Sequence, residues 1–180
     1  MDEHRESDLI ARVQQGDIDE FVHLVNAYQH EMFAYIKNLI GQGEVADVVQ
    51  ETFLAAFRYI RRYDPSKARF RTWLYRIARN QAYNALKRRP KRPMEPLSDL
   101  VDHETPADLL YRKELFRQLD QALAGLKFPF RSVFILAEMD GMSHAQIADI
   151  EGIRPGTVKS RLSRAKTILK AAMEPHGDRP

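Results

Sequence analysis

The chain of 180 residues contains no cysteine. That excludes a disulfide scaffold, cysteine-ligated zinc or iron–sulfur centres and a thiol nucleophile, and it is compatible with a cytoplasmic location. Glycine is scarce, at 8 residues, and neither GxGxxG nor GxxxxGKS occurs, so no glycine-rich loop cradles a nucleotide phosphate. No apolar run approaches the ~18 residues of a membrane helix, and the opening MDEHRESD lacks the basic-then-apolar pattern of a signal peptide. Six histidines are present, but no HExxH or i,i+4 pair; His23 and His30 stand seven apart. A metal-dependent hydrolase is therefore disfavoured. The expectation is a protein with no membrane insertion, no metal, no cofactor and no catalytic activity.

What is present is charge, and it is segregated. Residues 1–57 carry 3 Lys/Arg against 11 Asp/Glu, whereas residues 58–92 carry 13 Lys/Arg against the single acid Asp64. Residues 93–120 return to 7 acids against 3 bases, and residues 154–170 hold 6 bases and no acid. Blocks of this kind set long-range potentials. The first basic block is interleaved with Tyr59, Tyr63, Phe70, Trp73, Tyr75 and Tyr83. Cations among aromatic rings are what unstacked bases need.

The hydrophobic spacing predicts helices nearly throughout. Residues 17–39 place Phe21, Leu24, Val25, Tyr28, Met32, Phe33, Ile36 and Leu39 at three- and four-residue steps. A stripe of Val45, Val48, Val49, Thr52, Phe53, Ala56, Phe57 and Ile60 predicts another helix over about 44–61. Beyond a turn at Tyr63–Ser66, a further helix runs from Phe70 to about Lys87. Periodicity then fails where Pro90, Pro93, Pro96 and Pro106 crowd together, and resumes near 108. No strand alternation is evident. The fold class expected is all-α, two small helical domains joined by a flexible linker.

Near the C-terminal end, Ser143 and Gln146 form a capping box, Gly152 allows a sharp turn, and Pro155 opens a second helix. On that helix Val158, Leu162, Ala165 and Leu169 share one face, while Gly156, Ser160, Ser163 and Thr167 occupy the other. Small residues let a backbone approach a groove, and cations at the margins reach phosphates or guanine edges. This is the pattern of a helix-turn-helix. In FRTWLYRIARNQAYNALKRR, residues 70–89, Phe70, Leu74, Ile77, Ala78, Gln81 and Ala85 fall on one side. Thr72, Arg76, Arg79, Asn80, Tyr83 and Lys87 fall on the other, with Trp73 and Tyr75 placed to stack on bases. The polar cationic loop before it, Asp64–Arg69, suits a splayed single-stranded base better than a duplex. One duplex-like and one single-strand-like surface describe a protein that holds DNA as it opens.

The chain resembles the extracytoplasmic-function (ECF, group 4) sigma factors of the sigma-70 family. The stretches that carry the resemblance are LIARVQQGDIDEFVHLVNAY at 9–28, DVVQETFLAAFRYI at 47–60, FRTWLYRIARNQAYNALKRR at 70–89 and GMSHAQIADIEGIRPGTVKSRLSRA at 141–165. The resemblance implies a sigma-2 domain at 1–90, a linker at 91–107 and a sigma-4 domain at 108–174. It implies that Asp47, Gln50 and Glu51 face RNA polymerase core. Ser66, Lys67, Arg69, Arg71, Trp73, Arg76, Arg79 and Asn80 would face the −10 element. Arg154, Thr157, Lys159, Ser160, Arg161, Ser163 and Arg164 would face the −35 duplex. The partners implied are the β′ clamp helices and β flap of core polymerase, promoter DNA and an anti-sigma factor. Three departures stand out: Val45-Ala46-Asp47 in place of the AED run, Leu126-Lys127 in place of Leu-Pro, and Glu151 at a slot that is frequently apolar. The alternative is a stand-alone helix-turn-helix regulator, which accounts for residues 143–170 but not for the aromatic loop and helix or the acidic first lobe.

Overall fold

The computed structural model describes residues 2–41, 43–88 and 106–174. Among these, every regular element is helical. The expected linker lies outside the described residues except for Pro106 and Ala107, which already belong to a helix.

The first domain is built on α1 (Glu3–Gln15), α2 (Phe21–Ile40), α3 (Val45–Tyr59) and α4 (Phe70–Arg88). Helix α1 ends at Gly16, whose φ of 111° is a left-handed conformation that a side chain would strain. It lays Leu9, Ile10 and Val13 on the core. The Gln14 amide donates to the carbonyls of Ile60 (2.8 Å) and Tyr63 (2.9 Å), fastening α1 to the turn that leads into the Asp64–Arg69 loop. Helices α2, α3 and α4 pack on one another around Leu24, Met32, Leu39, Val48, Phe70 and Leu74, all essentially without solvent exposure. Each such side chain contributes about 1.5–3 kcal/mol of burial.

The second domain comprises α5 (Pro106–Gly125), α6 (Phe128–Phe134), a widened π-type turn at Ile135–Met139, α7 (His144–Glu151) and α8 (Pro155–Met173). The Ser143–Gln146 capping box forms as the sequence predicts, with both reciprocal hydrogen bonds present. Gly152 closes α7 at φ 66°, the turn of the helix-turn-helix. Val158, Ala165 and Leu169 are buried and Leu162 half-buried, so the inward face of α8 is the one its spacing predicts. Leu123 and Leu126 meet Ala165 and Leu169 in a small separate cluster that holds α5 on α8.

The two domains do not stand apart. Helix α7 lies on α4, and α6 with the π turn lies on α2. Ile135, Leu136, Ile147 and Ile150 join the same apolar cluster as Leu39, Leu74 and Ala78. Tyr83 and Phe128 rings meet across the seam at 5.1 Å. The Arg131 guanidinium donates to Leu39 O (2.8 Å), at the negative end of α2, and to Ala124 O (2.6 Å) and Leu126 O (2.9 Å) in its own domain. Burial pulls this guanidinium down to about 10.

Two expectations for α4 are corrected. Thr72, expected on the outward side, is buried. Tyr75, expected to stack on bases, is fully buried with its ring 4.6 Å from Tyr35 and its hydroxyl donating to Glu31 at 3.0 Å. The buried arc of α4 is wider than its apolar spacing indicates, because both α2 and the second domain cover it.

Candidate nucleic-acid interface

The outward face of α8 is open. Gly156, Ser160, Ser163 and Thr167 are exposed, and Arg154, Lys159 and Arg164 at its margins make no ion pair among the described residues. Ser160 donates to Thr157 O (3.0 Å) and Thr167 to Ser163 O (3.1 Å), so the hydroxyls fold back on the helix and keep its surface low. A shallow depression lined by Ser160, Ser163, Arg164, Thr167 and Ile168 runs along it. A helix of this relief, presented by a short capped helix and a glycine turn, has the form that enters a major groove. Arg161 differs from its neighbours. Its Nη1 lies 3.5 Å from Glu151 Oε2, turned inward.

The loop before α4 is already shaped. Asp64 Oδ1 accepts from the Ser66 amide (3.0 Å) and hydroxyl (2.7 Å), and these bonds hold the Asp64 carboxyl below its usual range. Tyr63 donates to Ala68 O (3.0 Å) from beneath. Ser66, Lys67 and Arg69 point to solvent, Lys67 near Asp64 (3.6 Å) and Arg69 near Glu3 (2.9 Å), both exposed pairs of little energetic weight. Trp73 is half-buried against Tyr63 (5.2 Å) and Phe70 (5.5 Å), with one side left to solvent. Its place on the boundary between core and surface is the one the sequence indicates.

Further along α4 the candidates are engaged. Arg71 Nε donates to Glu31 at 2.6 Å. Arg76 donates to the Asp149 carbonyl (2.9 Å from Nε), and Arg79 reaches both oxygens of Glu151 at 3.3 Å. Arg79 also lies over the rings of Tyr83 (5.6 Å) and Phe128 (5.3 Å). Asn80 is exposed, next to Arg79. Thus the structure brings Ser66, Lys67, Arg69, Trp73 and Asn80 to an accessible edge, and turns Arg71, Arg76 and Arg79 toward protein partners.

On α3, Asp47 and Gln50 are exposed, and Glu51 pairs with Arg88 at 3.1 Å. Gln50 borders an apolar groove between α2 and α3 lined by Phe21, Val25, Phe33, Val49, Leu54 and Phe57. Phe57 and Val49 belong to the apolar stripe of the sequence; Val49 packs against the core, but Phe57 keeps 38% of its surface exposed. The signal that was available is excess: α3 has more large apolar residues than one buried face accommodates.

Comparison with known proteins agrees with this geometry. Residues 24–92 match the Sigma-70 region 2 family and residues 116–169 match Sigma-70, region 4. The chain is 34% identical over 179 residues to the ECF RNA polymerase sigma-E factors of Salmonella typhimurium and Escherichia coli K12, covering 93% of this chain and 93% of each relative. The Haemophilus influenzae sigma-E factor is 33% identical over 181 residues, covering 93% and 94%. Among solved structures, CnrH in complex with the cytosolic domain of CnrY superposes with a TM-score of 0.71 at 26% identity, covering 94% of this chain and 97% of that one. The sigma factor RpoE of Bartonella quintana, in complex with the anti-sigma factor NepR, shares the fold at a TM-score of 0.65 and 23% identity, covering 88% and 99%.

Two helical domains, one ending in a helix-turn-helix and the other offering a cationic aromatic edge, define a promoter-binding type of transcription factor. The chain belongs to the ECF sigma factors of the sigma-70 family.

Proposed function

We propose that this sigma factor divides promoter recognition between its domains, with residues 1–90 and 108–174 as the working units and 91–107 as the connection. Helix α8 reads the −35 duplex through Arg154, Thr157, Lys159, Ser160, Arg161, Ser163 and Arg164. The loop at 64–69 and α4 receive the −10 strand as it melts, with Ser66, Lys67, Arg69, Arg71, Trp73, Arg76, Arg79 and Asn80. Asp47, Gln50 and Glu51 meet core polymerase; Gln50 borders the α2–α3 groove, and exposed polar and acidic groups on the same helix as apolar surface suit an amphipathic basic helix. The role is one of binding, not catalysis, and is carried out in the cytoplasm. No helix among the described residues is long and apolar enough to cross a membrane. CnrH is known bound to a cytosolic partner domain; by analogy an anti-sigma factor occupies this chain when it is silent.

The observation that carries the reading is the coexistence in one chain of an uncovered helix-turn-helix face and a preformed cationic loop beside a half-exposed tryptophan. A stand-alone regulator has use for the first but not for the second.

The test is run-off transcription with core polymerase on a promoter library randomised separately at −10 and −35. Replacing residues 64–69 with the loop of a relative of different −10 preference is expected to change the −10 profile alone, and Lys159→Ala with Arg164→Ala the −35 profile alone. Asp47→Arg with Glu51→Arg is expected to reduce co-purification with core while the helical signal persists. Profiles that do not separate in this way would overturn the division of labour.

A further inference from the structure

The side chain of Glu151, at the C-terminal end of α7, has no solvent exposure. A buried carboxylate is tolerated only when its charge is met and its lone pairs are filled. Here three elements supply those partners. Ser132 Oγ donates from α6 at 2.6 Å. Arg79, on α4 of the other domain, donates from Nε and Nη2 at 3.3 Å each. Arg161, on α8, approaches to 3.5 Å. Two residues earlier, the Asp149 carbonyl at the negative end of α7 accepts from Arg76 of α4. The carboxylate therefore holds the two guanidinium groups as a nucleic-acid phosphate would.

We propose that Glu151 is an internal phosphate mimic and latch: it binds Arg79 of the −10 surface and Arg161 of the −35 helix at once, and so keeps the domains closed and part of the −10 surface masked until nucleic acid or polymerase replaces it. The proposal rests on the assignment of α4 and α8 to promoter DNA, and adds to it how that site is held off. Its physical basis is exclusive use. Arg79 cannot satisfy the buried carboxylate and a phosphate together, so α4 is free for DNA only in the fraction of molecules whose domains have parted. The apparent affinity for a −10 strand is the intrinsic affinity scaled by that open fraction. Without the carboxylate, Arg79 and Arg161, only 20% and 26% exposed, face one another across the seam with no shared anion. The closed form then loses its ionic hold, and the open fraction rises.

The experiment uses the full chain with labels at Arg58→Cys and Lys170→Cys, two exposed positions on opposite domains of a protein that has no other thiol. Distance distributions between spin labels report the open fraction, and a fluorescent single-stranded −10 oligonucleotide reports access to α4. In Glu151→Gln the open fraction is expected to rise by about tenfold or more, and oligonucleotide affinity by the same factor while the open form remains the minority. Arg79→Gln, altered on the other domain, should open the molecule equally. The double variant should open it no further than either single one, the mark of two residues acting through one contact. An unchanged distance distribution in Glu151→Gln, with helical content retained, overturns the latch. If that variant does not fold, a closed Arg79→Gln overturns it instead. Opening without a gain in oligonucleotide binding supports the latch and counts against α4 as the −10 surface, so the two readings fail separately.

Discussion

Helix α8 and helix α4 are both basic, amphipathic and assigned to DNA, yet the structure treats them differently. The outward face of α8 meets solvent, and its marginal cations Arg154, Lys159 and Arg164 have no protein partner among the described residues. The corresponding arginines of α4 are occupied, Arg71 by Glu31, Arg76 by the Asp149 carbonyl and Arg79 by Glu151. The difference teaches that amphipathic spacing predicts which face of a helix avoids its own domain, not which face meets water. A second domain can claim the outward side, and in this chain it engages Arg76 and Arg79 of α4 while leaving the outer face of α8 free.

The comparison is most strongly disturbed at Arg131. Arg131→Met removes the donor to Leu39 O, Ala124 O and Leu126 O, two buried carbonyls and one partly buried. At about 1 kcal/mol for each lost bond, urea unfolding is expected to show a loss of about 3 kcal/mol. It should also split the transition in two as the domains uncouple. A single transition at unchanged midpoint would mean that the seam is held by its apolar contacts alone.

The open face supplies the next effect. Lys159→Ala and Arg164→Ala should weaken −35 duplex binding without any change in domain closure, because neither residue touches the first domain. A base contact costs about 1–3 kcal/mol and relaxes preference at one position, whereas a phosphate contact lowers the salt slope by about one. Titrations at several salt concentrations separate the two. A shift in domain separation in either variant would break the distinction drawn between the helices.

A smaller effect is expected from pH at the seam. Asp140, in the turn before α7, is pushed up to about 6 by burial, with Arg71 opposing and Glu31 reinforcing that shift and Tyr75 hydrogen-bonded nearby. One of its oxygens, Oδ2, is buried without a hydrogen-bond partner. The closed form thus holds a proton more tightly than the open form. Closure is favoured most below the ordinary carboxylate range, and the advantage is lost as pH rises through about 6. Between pH 7.5 and 5.5 the domain equilibrium should shift roughly fourfold toward the closed form. Asp140→Asn should flatten that dependence and leave −35 binding by α8 unmoved. The slope is read from label distances across the pH series, and a slope unaltered in the variant would assign the proton elsewhere.

The smallest effect tests the support beneath the seam. Ser143→Ala deletes the cap of α7, whose hydroxyl accepts from the Gln146 amide. It is expected to cost about 1 kcal/mol, seen as a lower melting temperature for the second domain. Since α7 is the helix that lies on α4, closure should weaken in step with it.

Much of this molecule was legible in advance for local reasons. The capping box at Ser143, the glycine turn at Gly152 and the Val158–Ala165–Leu169 stripe all follow from contacts within a turn or two, and each is present as read. The Asp64–Arg69 loop and the boundary position of Trp73 were likewise visible. The burial of Thr72 and Tyr75 was not, because polar and aromatic side chains on α4 are covered by neighbours that lie far away in sequence. Phe57 belongs to the apolar stripe of α3 yet lines an open groove, since a stripe of apolar residues does not say how many of its members find a partner.

Glu151 marks where local reading stops. Taken by itself it is a charged residue at a slot expected to be apolar; its partner Arg79 stands 72 residues away, beyond the linker. Sequence alone determined the helices, the two-domain order, the charge blocks and the outward face of α8, because each depends on spacing within an element or on composition along a segment. Only the tertiary structure decided which of the two basic faces is free. That choice depends on a buried carboxylate meeting guanidinium groups from two other helices, and a buried charge is stable only where distant partners converge to neutralise it.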